Sequence, residues 1–241
     1  MDFTQITKEN YTEFLKYLET LSDSKYRSFH SKIVKNSSLE IFGIRTPTLK
    51  EIAKQILKGD YEGYLKNSGQ KYYEEVMIRG YVTAQIKTTS FEQSKELMIS
   101  FLPYIDNWAV CDGYCSMFKR IKKHMPQYFD YIGELVTDKN VWNQRVALVL
   151  MLNYYLTDEY IDIVLERCKA IKSEEYYVQM AQAWLMATAY IEYSSRVKEL
   201  LRSDRVSETV KRMAIQKCID SYRIEDEEKD YLRKLREKIK I

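Results

Sequence analysis

The chain has 241 residues, of which 45% are hydrophobic and 30% charged, the balance of a globular protein with a sizeable core. Lysine and arginine exceed aspartate and glutamate by only 38 − 35 = 3, so net charge permits a polyanionic partner without demanding one, and a basic face has to come from clustering. The opening "MDFTQITKENY" has no basic-then-apolar leader and the longest apolar run is Val146–Leu152, which excludes a signal peptide and a membrane span of roughly 20 apolar residues; four cysteines then fit a reducing cytoplasm.

Only 7 glycines and 3 prolines punctuate the chain, and apolar residues recur at i, i+3, i+4 and i+7 instead of alternating as in strands. Helices are expected near 8–21, 24–35, 47–57, 61–67, 71–87, 91–101 and 106–122. Further helices are expected near 126–136, 140–155, 158–171, 174–192, 195–202, 206–221 and 226–239. Caps support several starts: Thr46 before Pro47, Ser90 leading to Gln93, and Asp138 near the helix that begins around Val141. Residues 1–35 and the C-terminal "RKLREKIKI" carry the mixed charges of exposed helices. The class is all-α.

A weak period separates a bundle from a solenoid. Arg79, Asp112 and Arg145 are evenly spaced (112 − 79 = 33, 145 − 112 = 33), each within a predicted helix, and a shorter helix lies between each pair. The repeating unit is a helix pair, as in HEAT-type repeats, and such units stack on their neighbours and build a concave surface. The expectation is a single curved α-solenoid, one domain over residues 1–241, with a concave groove.

On a wheel of 100° per residue, Cys111, Tyr114, Cys115, Phe118 and Ile121 form the core stripe of the 106–122 helix. Trp108 and Asp112 lie roughly 100–140° from its centre, on a flank shared with Ser116 and Lys119. One reading is packing under the next repeat, with the indole N–H satisfied there. The other is a site for something cationic. Arg145 opens the nearly apolar run Val146–Leu152, where it either snorkels to solvent or reaches an anion, and Trp184 stands among Ala181, Ala183 and Ala187. Stacked in register, Trp108, Asp112, Arg145 and Trp184 would converge as two indole faces, a carboxylate and a guanidinium, a cradle for a cation on a phosphate chain.

Other signals are weaker. The run "FKRIKKHMPQY" places Lys119, Arg120, Lys122 and Lys123 together, either as a solvated helix end or as a phosphate grip. Cys111 and Cys115 fall on the core stripe with no ligand cluster nearby, so no metal site is expected, and Cys168 and Cys218 read as small buried hydrophobes. Neither His30 nor His124 has a triad-like partner, and no glycine-rich phosphate loop is present.

Four stretches, "KNSSLEIFGIRTPTLKEIAK" (35–54), "NWAVCDGYC" (107–115), "NVWNQRVALVLMLNYY" (140–155) and "YYVQMAQAW" (176–184), resemble the bacterial DNA alkylation repair glycosylases of the AlkD type. That family is built from HEAT-like repeats, and the resemblance covers nearly the whole chain. It implies that Trp108, Asp112 and Trp184 line the lesion site, that Arg145 holds the DNA backbone, and that the damaged base stays stacked in the duplex. The chain departs from the family pattern at Met180 and Ala187, where basic residues are frequent, and at Ile33 and Val34, where a tyrosine is frequent.

The chemistry implied needs few groups. Glycosidic bonds ordinarily require a general acid and a second carboxylate. A purine alkylated on a ring nitrogen is already a cation and leaves without the acid. One carboxylate then suffices to stabilise an oxocarbenium-like sugar and place water, and indole faces add about 0.5–2 kcal/mol each through cation–π attraction. The expected activity is that of a metal-free, cofactor-free monofunctional DNA glycosylase, a cytoplasmic monomer acting on duplex DNA that carries 3-methyladenine or 7-methylguanine. The alternatives are a catalytically silent repeat module that binds distorted or branched DNA, and a protein-binding scaffold.

Overall fold

The computed structural model describes residues 5–35 and 37–239. Among them the chain forms thirteen α-helices and no strand, only an isolated bridge between Glu40 and Tyr72. In order these are α1 (Tyr11–Thr20), α2 (Ser24–Ile33), α3 (Thr46–Ile56), α4 (Tyr61–Asn67), α5 (Tyr73–Gln85), α6 (Phe91–Phe101) and α7 (Trp108–Met117). They continue as α8 (Met125–Val136), α9 (Val141–Tyr154), α10 (Ile161–Ala170), α11 (Tyr176–Arg202), α12 (Glu208–Asp220) and α13 (Asp226–Glu237). The helices fall into two compact units, Met1–His124 and Met125–Ile241.

In the first unit α3, α5 and α7 pack in a row, and α6 covers α5. Helix α5 is buried over most of its length, including two acids, Glu74 and Glu75. Each acid anchors a loop. Glu74 accepts the backbone N–H groups of Phe42 (3.0 Å), Gly43 (2.7 Å) and Ile44 (3.1 Å), and although burial pushes its carboxyl up, those three donors pull the other way. Gly43 has φ +91°, and a Cβ there would stand 2.6 Å from the Arg27 Cβ, so only glycine fits this turn. Glu75 accepts the N–H groups of Lys71 and Tyr72 together with the Tyr11 hydroxyl. Arg79, the first residue of the 33-residue spacing, donates to the carbonyls of Leu65 (2.6 Å) and Ser68 (3.0 Å) and so fixes the end of α4.

The second unit is built from helix pairs: α8 packs on α9, α10 on α11, α8 on α10 and α9 on α11. This two-layer stacking on neighbours is the helical-repeat arrangement. Helix α9 is buried without a break from Arg145 to Met151, as an all-round apolar helix must be. Gln182 is buried and donates to the Cys168 (2.7 Å) and Ile171 (3.0 Å) carbonyls, closing the end of α10 against α11. Helices α12 and α13 complete the unit.

Two expectations are corrected and a third is met. The predicted 106–122 helix stops at Met117, because Phe118 (φ −76°, ψ 51°) leaves the helical region and Lys119–Lys123 continue as a 3₁₀ turn. The helices expected at 174–192 and 195–202 follow one another within α11, and the backbone leaves the helical region between them at Tyr193 (φ −121°, ψ 39°), where the sequence places the break. The cap of α9 is Asn140, whose side chain accepts the Trp142 N–H at 2.9 Å, while Asp138 lies one step back and accepts from Asn140 (2.8 Å) and Asn143 (2.8 Å). Among the described residues no helix is long and apolar enough to cross a membrane, and all four cysteines are buried thiols, with Cys168 and Cys218 pushed up to about 12 by burial.

Candidate functional site

In the first unit, α7 presents the Trp108–Asp112 pair. The buried stripe is as the periodicity predicts: Cys111, Tyr114, Cys115, Phe118 and Ile121 are all 0–1% exposed. Trp108 and Asp112 are half-buried one turn apart, and Ser116 and Lys119 are exposed. The Trp108 indole N–H donates to the Ile33 carbonyl at 3.1 Å, so the end of α2 satisfies its only donor and sets the ring's direction.

The entry to α7 explains why the pair is held. Asn107 is fully buried, and its Oδ1 accepts the N–H groups of Ala109 and Val110, each at 3.0 Å. Its amide donates to Asp106 at 2.7 Å. Asp106 in turn accepts the Ser37 hydroxyl at 2.9 Å and the Ser38 N–H at 3.3 Å, which ties Ser37 and Ser38 to the start of α7. Behind Asp112, Gly113 lets α7 lie close to α5, since a Cβ would meet Met77 Cε at 2.9 Å and the Tyr81 hydroxyl at 3.2 Å. Asp106 and Asn107 are supporting residues that sequence reasoning missed. The signal was legible in "DNWAV": an asparagine immediately before the first helical residue is a capping pattern.

The basic run divides. Lys119, Lys122 and Lys123 are exposed on the 3₁₀ turn, whereas Arg120 turns inward, donating to the Ile86 carbonyl at 2.6 Å and lying 4.8 Å from the Phe118 ring centroid.

Arg145 and Trp184 belong to the second unit, on α9 and α11, which pack together. Arg145 is 4% exposed and donates through Nη1 to the Tyr177 carbonyl in the first turn of α11. It therefore does not snorkel. Nearby, Trp142 stacks at a tilt on Tyr177, with centroids 5.4 Å apart. Trp184 lies two turns further along α11, half-buried between the buried Ala181, Ala183 and Ala187, and the Thr188 hydroxyl bonds its carbonyl at 2.8 Å. Met180, at a position where the family often has a basic residue, is half-buried.

Among the described residues no group of three His, Cys, Asp or Glu side chains is placed to hold a metal ion. No curated protein shows a significant match to the chain. The sequence does match the family described as "DNA alkylation repair enzyme" over residues 14–218, a span that takes in every candidate residue from Trp108 to Trp184. The chain belongs to the DNA alkylation repair enzyme family.

Proposed function

We propose that the chain is a monofunctional DNA glycosylase that hydrolyses the N-glycosidic bond of cationic alkylpurines, of the 3-methyladenine and 7-methylguanine type, in duplex DNA. The observation that supports it most is the Trp108–Asp112 pair: a carboxylate and an indole one turn apart, half-buried, on a helix whose entry is fastened by Asp106 and Asn107. Asp112 stabilises the positive charge that develops on the deoxyribose and orients the attacking water. Trp108 contributes its ring face, its N–H being engaged with Ile33, and Trp184, on α11 of the second unit, is the other indole of this reading. The leaving purine, already cationic, departs as a neutral base without a general acid.

Arg145, with Lys119, Lys122 and Lys123, contacts the DNA backbone in this reading, and Arg120 supports the turn that carries the three lysines. Arg145 has two tasks, since its bond to Tyr177 also sets the start of the helix that carries Trp184. The fold is a HEAT-like repeat domain acting as a monomer. Base release from a duplex containing 7-methylguanine tests the proposal directly. Release by the wild type supports it; binding without release favours a catalytically silent DNA-binding module, and neither favours a protein scaffold.

A further inference from the structure

Net charge gives a first indication of where this chain meets a polyanion. Residues 24–39 contain Lys25, Arg27, Lys32 and Lys35 and no acid, a local charge of +4 in a chain whose total is +3. The remaining residues therefore sum to 3 − 4 = −1, so this segment alone accounts for more than the whole net positive charge. Ten of its residues form α2, and of those only His30 is buried and Tyr26 half-buried.

The exposed side of α2 has an order to it. Lys25, Phe29, Lys32 and Ile33 follow the i, i+4, i+7, i+8 spacing of one helix face, with Phe29 and Ile33 bordering the buried stripe and the lysines beyond them. Phe29 is 58% and Ile33 38% exposed, two of the few large apolar side chains that the fold leaves in solvent. Arg27 and the short hydroxyls of Ser24, Ser28 and Ser31, which permit close approach, make up the rest of the exposed surface. An exposed phenylalanine and isoleucine beside paired lysines suit a partner that is anionic along one edge and apolar along another. A DNA strand is such a partner, with phosphates outside and deoxyribose faces within.

Helix α2 is also joined to the candidate site. The Ile33 carbonyl accepts the Trp108 indole N–H at 3.1 Å, and the Ser37 hydroxyl and Ser38 N–H bond Asp106 at the entry to α7. We propose that α2 is a second duplex-contact surface, in which Lys25 and Lys32 hold phosphates while Phe29 and Ile33 rest on the sugars between them. The proposal rests on the reading of this protein as one that acts on duplex DNA.

The test uses the full chain and an undamaged duplex of about two helical turns, with affinity measured by fluorescence anisotropy across a sodium chloride series. For Lys25→Gln/Lys32→Gln the plot of log affinity against log salt becomes shallower by roughly 1 to 2, close to the value for two lost phosphate contacts. For Phe29→Ser/Ile33→Ser affinity falls severalfold at every salt concentration with the slope unchanged. All four positions are exposed, so thermal melting stays at the wild-type temperature; should the double lysine variant melt early, Lys32→Gln alone reads out half the slope change. Variants with wild-type slope and affinity, in a protein that still binds duplex and releases 7-methylguanine, overturn the α2 surface and leave the glycosylase reading standing. A wild type that neither binds nor excises removes that reading and the α2 surface with it. Variants that keep DNA affinity but no longer adsorb to phosphatidylserine vesicles, where the wild type does, assign the face to membranes instead and also overturn the proposal.

Discussion

Trp108 and Arg145 each bind a backbone carbonyl through a side-chain N–H, so the DNA contacts we propose for them fall to the rest of each side chain. The Trp108 indole N–H is engaged with Ile33, so in the proposed reaction only its ring face can serve a cationic sugar. Trp108→Phe keeps an aromatic face and loses that bond, and we expect a melting penalty of about 1 kcal/mol, the ordinary net worth of a hydrogen bond, with a modest loss of excision. Trp108→Ala should lose far more activity; equal excision by the two variants would show that the ring does nothing. Arg145 donates to Tyr177 from a nearly buried position, so Arg145→Ala should both lower stability by about 1–3 kcal/mol and flatten the salt dependence of DNA binding. Arg145→Lys separates the tasks: it retains the charge, and so the slope, but not the guanidinium that reaches Tyr177. An unchanged salt slope in Arg145→Ala would assign the arginine to holding α11 alone.

Elements decide how firmly those residues are presented. The α7 entry is a chain of bonds from Ser37 and Ser38 through Asp106 to Asn107. Asp106→Ala should therefore lower excision while leaving the salt slope of duplex binding intact, and intrinsic fluorescence of Trp108 in a Trp142→Phe/Trp184→Phe background should shift; unchanged emission and excision would reduce Asp106 to a surface residue. At α9 the corresponding anchor is Asp138, whose carboxyl is held below the usual range by the Asn140 N–H and the Asn143 amide. Its folded pKa lies below its unfolded one, so its stabilisation is present above about pH 4 and fades as pH falls through the depressed value. Asp138→Asn should accordingly narrow the difference in melting temperature between pH 6 and pH 3. Most helix starts and stops were legible because 3.6-residue periodicity and capping residues are local. The end of α7 at Phe118 was not, since the apolar stripe continues through Phe118 and Ile121 while the backbone changes to a 3₁₀ turn. The break within α11 at Tyr193 was legible, falling between the helices expected at 174–192 and 195–202.

For the molecule as a whole, the all-α repeat arrangement followed from the 33-residue spacing, yet that spacing mixes roles. Arg79 fixes the end of α4, Asp112 stands half-buried on its flank, and Arg145 reaches the start of α11. Sequence alone could mark the flank position of Trp108 and Asp112, because burial on a helix follows the wheel. It could not assign Arg145 to a carbonyl 32 residues further on, which tertiary packing brings within reach. Repeat domains propagate stability through nearest neighbours. If the 241 residues act as one domain, as we propose, Leu148→Ala, a cavity change in buried α9 worth about 2–5 kcal/mol, should lower a single calorimetric transition. Two transitions, only one of them displaced, would mean that Met1–His124 and Met125–Ile241 melt independently. In the proposed reaction the chemistry depends on Asp112. Asp112→Asn preserves size and most hydrogen bonding while removing the negative charge, so single-turnover release of 7-methylguanine from duplex DNA, measured beside thermal melting, isolates the electrostatic contribution. If Asp112 acts electrostatically, the excision rate falls by about 10²–10³, with melting nearly unchanged and affinity for undamaged duplex equal or slightly higher. Equal excision by two equally stable proteins would remove Asp112 from the chemistry and leave the neighbouring Trp108 as a binding residue only.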